Sequence, residues 1–142
     1  MERTLKSGSE ATSKVDKVDS MTAECVEEIL NSAVSFHKLH LQVEGDGSFS
    51  AHMALKELYE AMPELGDTIA EGFQGASEKL LKYKHQGPVI LKSVDDAIQH
   101  IRNMYDMITE LQKIMPYSEI INSLDTVKDA LNSGKYKLIF LK

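Results

Sequence analysis

The stretch HLQVEGDGSFSAHMALKELYEAMPELGDTIAE, residues 40–71, decides how the chain is read, because it holds a helix end, a turn and most of a second helix. Glu44-Gly45-Asp46-Gly47-Ser48 supplies turn residues and a serine suited to capping. Beyond it Leu55, Leu58, Met62, Leu65, Ile69 and Phe73 recur at steps of three and four, the period of one buried helical face. The spacing predicts helix B over 49–74. Pro63 and Gly66 interrupt it, and an internal proline removes a backbone hydrogen bond, so a kink is expected near Met62.

Outward from this stretch the same period recurs. Val26, Ile29, Ala33, Phe36 and His40 mark helix A over 21–43, with Ser20 as its expected N-cap. Gly75 to Lys92 has no clean period and carries Lys79, Lys82, Lys84 and a Gly87-Pro88 turn signal, which predicts a crossover with one short helical piece. Ser93 and Asp96 form a capping signal before Val94, Ala97, Ile101, Met104, Ile108, Leu111 and Met115, giving helix C up to Pro116. Tyr117, Ile120, Leu124, Val127, Leu131, Gly134, Leu138 and Leu141 mark helix D, with Gly134 read as a close helix contact. Residues 1–19 mix charged and small polar residues without period and are expected to form a flexible tail. The fold class is therefore all-α: a ferritin-like four-helix bundle over 20–142 with a long B–C crossover. A plain up-down bundle is the structural alternative.

Composition narrows the function. A chain of 142 residues fits one domain, and its apolar runs are too short to span a bilayer, so no membrane partner is expected. The opening MERTLKSGSE is polar where an export signal would be apolar, so a cytoplasmic location is expected. Sixteen basic against 22 acidic side chains give a net charge of -6, which repels nucleic acid on average. The single cysteine, Cys25, leaves no intrachain disulfide and reads as a small core residue. No glycine-rich phosphate loop, GxSxG elbow or HExxH motif is present, which removes the common nucleotide, hydrolase and zinc-protease readings.

The residues that carry chemistry lie within the opening stretch. His40 stands six residues before Asp46 and His52 six after it, so an antiparallel A–B hairpin brings both imidazoles to one height. Asp67 and Glu71 are four apart and share a helix face, a spacing that lets two carboxylates hold one cation. At about 1.5 Å per residue, roughly 22 Å separates His52 from Asp67, so one chain cannot close the site. Two B helices packed antiparallel about a twofold near Glu60 and Ala61 would exchange their ends and set each His52 beside the partner's acidic pair. Mixed imidazole and carboxylate ligands suit Fe(II), and also accept Zn(II) or Mn(II).

The spacing of His40, His52, Asp67 and Glu71, with Val43 and Gly45 just after the first His, resembles the mini-ferritins, the DNA-binding proteins from starved cells (Dps). The resemblance implies that these four residues are the metal ligands, that Fe(II) is oxidised by peroxide or dioxygen and stored as ferric oxide, and that the chain forms a homo-oligomer, a dimer through helix B built up to a hollow dodecamer. It covers about thirty residues closely, and helices C and D in topology only. Lys56 stands where that family has a third acidic ligand, and Leu41 where it has a tryptophan. The ending YKLIFLK resembles small phage-encoded ferritin-like proteins. A rival reading is a non-catalytic binding or structural module with a degenerate metal site.

The remaining candidates have plainer roles. His37, His85 and His100 read as surface or packing residues, the seven methionines as core filler, and Tyr59 as packing near the twofold. Asp95 and Asp96 favour the start of helix C through its dipole. The tail's Arg3, Lys6, Lys14 and Lys17 are balanced by Glu2, Glu10, Asp16 and Asp19, so DNA binding is expected to be weak or absent.

Overall fold

A computed structural model describes the backbone of residues 2–142 and the side chains of residues 14–142. The elements are α1 (Glu2–His40), α2 (Ser48–Ser77), α3 (Val94–Ile114) and α4 (Ser118–Phe140), with no strand among the described residues. Each predicted apolar stripe points inward, except that Leu141 is exposed just past the end of α4. Val26, Ile29 and Phe36 of α1 meet Leu55, Met62 and Ile69 of α2, Ile101 and Ile108 of α3, and Leu124 and Leu131 of α4, all with essentially no solvent exposure. Such closely packed apolar side chains supply the main drive for folding, and the helices follow because their stripes share one core.

Helix α1 packs on α2 and α3, and α4 packs on the same two, so the order around the bundle is α1, α2, α4, α3. Contacts fix the directions. Asp19 near the middle of α1 meets Lys79 just past the end of α2, while His40 at the end of α1 meets His52 near the start of α2, so these helices are antiparallel. Gly134 of α4 lies against Leu58 of α2, where an added Cβ would come within 2.7 Å of the leucine side chain, as the close-contact reading expects. Gln112 of α3 bonds Asp125 of α4 at 2.8 Å across the last hairpin. Every neighbour in the ring is therefore antiparallel, and one long crossover carries the chain from the end of α2 back to the start of α3. One such crossover is the connectivity of ferritin-like bundles.

Residues 78–93 form that crossover and run alongside α1. Their backbone groups, which have no ladder of their own, are met by α1 side chains. The Glu27 carboxylate accepts from the N–H groups of Lys84 and Gln86, Asn31 donates to the Gln86 carbonyl at 2.8 Å, and Ser35 donates to the Val89 carbonyl at 2.6 Å. Lys79–Asp19 and Lys84–Glu24 ion pairs, at 2.6 and 2.8 Å, add to the strap. The short helical piece expected here does not form, because partners on α1 satisfy an extended backbone instead.

Three further expectations change. Residues 14–19, expected as tail, are helical, and Ser20 lies inside α1 rather than capping it. Val18 is buried in the core and Thr22 bonds back to its carbonyl at 2.7 Å, so the apolar stripe begins earlier than the sequence period suggested. Met1 and the side chains of Arg3 and Lys6 lie outside the described residues. Helix α2 continues through Pro63 and Gly66, with Met62, Gly66 and Ile69 all buried against the core. Its N-cap is Gly47 rather than Ser48, with φ +79, a left-handed conformation that glycine adopts without steric cost. At α3 the expected cap forms: Ser93 Oγ accepts from the Asp96 N–H at 3.1 Å, and the Asp96 carboxylate accepts from the Lys92 N–H at 2.9 Å.

Candidate metal centre

The α1–α2 hairpin turns at Gly45 and Gly47, both at positive φ, and brings the end of α1 against the first turns of α2. This register pairs His40 with His52. His40 Nδ1 lies 2.6 Å from the His52 carbonyl oxygen, and His52 Nδ1 lies 2.8 Å from the His40 carbonyl oxygen. A carbonyl only accepts, so each Nδ1 is the protonated, donating nitrogen. The two rings stack with centroids 3.5 Å apart and planes 20° from parallel. Each neutral imidazole then keeps Nε2 as its free lone pair, the tautomer in which a histidine ligates a metal while a backbone carbonyl orients it.

Two more rings complete the cluster. Tyr59 stacks on His37 at 3.9 Å, 5° from parallel, and presents an edge to His40 at 5.1 Å. No metal-ligand pattern marks this pair; the hints in the chain are that His37 precedes His40 by one turn and that Tyr59 follows His52 by two. His40 is buried and His52 half-buried, so the cluster opens on the outer side of the hairpin. Leu30 and Val34 of α1 and Met53 of α2 are partly exposed large apolar residues on this hairpin.

Asp67 and Glu71 lie further along α2, both exposed. Among the described residues no three His, Cys, Asp or Glu side chains stand close enough together to hold a metal ion. The structure therefore brings together His40 and His52 but not the four expected ligands within one chain. Tyr83 of the crossover is half-buried beside the acidic half: burial, then Asp67 and Glu27, push its phenol pKa up. Lys56, one turn after His52, directs its ammonium toward Glu60 at 4.0 Å.

The other histidines divide. His85 is exposed at φ +57, in the crossover. His100 is a packing residue, buried between α3 and α1, edge-on to Phe36 at 5.7 Å. Its Nε2 has no hydrogen-bond partner, although Glu28 Oε1 approaches to 3.4 Å. Burial pushes its pKa down, so the ring is neutral at neutral pH and the approach to Glu28 is not an ion pair there. Cys25, fully buried nearby on α1, has its thiol pushed up to about 12 by burial and then by Glu28, so it is an unreactive core residue.

Fold and ring cluster together define a helical-bundle protein with an oriented imidazole pair on its α1–α2 hairpin. The chain belongs to the DUF5856 family, a family of unknown function, whose model matches residues 40–138 and so spans α2, the crossover, α3 and nearly all of α4. No curated protein and no solved structure matches the chain. All four candidate ligands fall within the matched residues. No helix among the described residues is long and apolar enough to cross a membrane.

Proposed function

We propose that this protein binds Fe(II) at a site completed between two copies of the chain, and oxidises and sequesters it in the manner of a mini-ferritin. His40 and His52 of one copy supply the imidazoles; Asp67 and Glu71 of its mate supply the carboxylates. The observation that carries this reading is the reciprocal bonding of the two rings through Nδ1, which leaves each Nε2 free for a ligand. Iron is the substrate. The imidazoles hold it, the carboxylates neutralise its charge, and peroxide or dioxygen accepts its electron. Removing Fe(II) in this way protects against the radicals it would otherwise generate. Exposure of Asp67 and Glu71 fits ligands that reach outward, and the partly apolar hairpin face fits a dimer through α2.

Anaerobic Fe(II) binding followed by peroxide addition, read by ultraviolet absorbance beside a particle-size measurement, tests it. Ferric absorbance lost in Asp67→Ala supports the reading, and a cage-sized particle extends it to storage. Binding no greater than that of a control protein overturns it.

Lys56 favours a second reading, a non-catalytic module that keeps the bundle with a degenerate site, since an ammonium one turn from His52 opposes a dication. Stoichiometric binding without ferric absorbance after peroxide selects that reading. A cytoplasmic location and weak or absent DNA binding complete the proposal.

A further inference from the structure

We propose that the outer seam between α3 and α4 holds a small phosphate-bearing anion, gripped by Lys128 and Lys135 beside the ring of Tyr105. The seam lies on the side of the bundle opposite the histidine pair, so this inference stands apart from the metal-binding reading. Lys128 and Lys135 are seven residues apart on α4, two turns along one face. Both ammonium groups lie over the Tyr105 ring of α3, with Nζ 4.6 Å from its centroid for Lys128 and 5.9 Å for Lys135. All three residues are half-buried. Arg102, three residues before Tyr105, adds a third cation on the same face of α3.

Two like charges drawn to one ring repel each other, and the negative face of the ring offsets only part of that. A carboxylate would offset the rest. The chain has 22 acidic side chains, yet among the described residues neither lysine nor Arg102 forms an ion pair. Asp106, beside Tyr105, is exposed and pairs with none of them. Asp125 is held off: it accepts from Gln112 Nε2 at 2.8 Å, while Gln112 Oε1 accepts from Lys128 Nζ at 2.6 Å, so an amide stands between the two charges. A bond from Gln112 Nε2 to the Ile121 carbonyl at 3.1 Å fixes that amide. Lys128 spends one of its three N–H groups there and keeps the others for a ligand. Two ammonium groups and a guanidinium match a phosphate dianion better than a carboxylate, which brings fewer oxygens and less charge.

The test adds inorganic phosphate to the full chain and follows it by amide NMR, against sodium chloride at matched ionic strength. Phosphate should shift the resonances of Tyr105, Gln112, Lys128 and Lys135 saturably, and chloride should not. Lys135→Gln should weaken the affinity about tenfold, the loss of one charge-assisted contact, and Lys128→Gln at least as much. Lys113→Gln, at an exposed lysine paired with Glu110, should leave it unchanged. Without phosphate, Lys135→Gln should also raise the urea midpoint by relieving repulsion. Phenyl phosphate separates the two sources of the ligand: tighter binding than inorganic phosphate assigns a monoester, and equal binding the free ion. The absence of a saturable shift, the same shift with chloride, or a response to single-stranded DNA alone overturns the proposal. So does a lowered midpoint with unchanged phosphate affinity in Lys135→Gln, which would make the lysine a packing residue.

Discussion

At the outer seam between α1 and α2, His40 and His52 each give a ring N–H to the other's backbone carbonyl, whereas at the seam between α1 and α3 His100 is buried with Nε2 unpartnered. All three rings sit at helix contacts, and α1 forms one wall of both seams. The difference lies in where the partner backbone is. At the hairpin end, His40 is the last residue of α1 and His52 lies in the second turn of α2, so each ring can reach the other's carbonyl. His100, in the second turn of α3, faces Glu28 and Phe36 inside α1 rather than the free end of that helix. One seam orients its imidazoles and leaves a lone pair for a ligand; the other tolerates an imidazole at a cost in stability.

The largest expected effect follows from removing an oriented ring. His52→Ala should weaken Fe(II) binding by about 100-fold or more, since it deletes one ligand and the ring stacked on His40, while His40 Nδ1 keeps its bond to the backbone carbonyl of residue 52. The same change should cost only about 1–2 kcal/mol in stability, from a lost ring-to-carbonyl bond and a lost stack. Equal loss of binding and of folded protein, read by anaerobic titration beside urea unfolding, would mean that the pair is a structural clasp and no more.

The opposite seam should respond in stability and not in metal uptake. Burial lowers the His100 pKa from 6.5, so the unfolded chain takes up a proton that the folded chain resists. That stability contribution is full above about pH 6.5 and is lost as pH falls below it. Glu28 has the reverse sign: burial first, then Glu27, raises its pKa from 4.5, so its contribution is present below that value and lost as pH rises through the folded one. His100→Leu should therefore gain about 1 kcal/mol at neutral pH by removing an unpartnered buried nitrogen, and should flatten the decline between pH 7 and 5. Urea midpoints across that range test this. An unchanged slope in His100→Leu would show that another group titrates there.

What the sequence disclosed follows the range of the interactions involved. The four helices were legible because an apolar period of three and four is a local property, and Gly134 was legible as a contact because it interrupts that period on the seam. The meeting of His40 and His52 was legible from their equal spacing about Asp46, a consequence of hairpin symmetry. Less was visible wherever side chains meet elements distant in sequence. The crossover bonds depend on Glu27, Asn31 and Ser35 finding backbone more than fifty residues away, and no local pattern announces that. Val18 was hidden for another reason: Asp16, Lys17, Asp19 and Ser20 beside it are polar, although Met21 three residues on continues its face against the core. The proposed meeting of Asp67 and Glu71 with the imidazoles would involve a second copy of the chain, which no pattern within one chain displays.

The smallest effect concerns Tyr59, which contacts the oriented seam through its ring. Its ring lies parallel to His37 at 3.9 Å and edge-on to His40 at 5.1 Å, so it packs against the His40 ring. If packing holds His40 in place together with the carbonyl bond, Tyr59→Ala should weaken metal binding by about threefold to tenfold, and Tyr59→Phe by less than about twofold, because the ring and not the hydroxyl makes the contact. A loss in Tyr59→Phe as large as in Tyr59→Ala would instead give the hydroxyl a part in the site. Such a result would bring the two seams closer together, since orientation at the outer one would then depend on a polar group that the rings themselves do not supply.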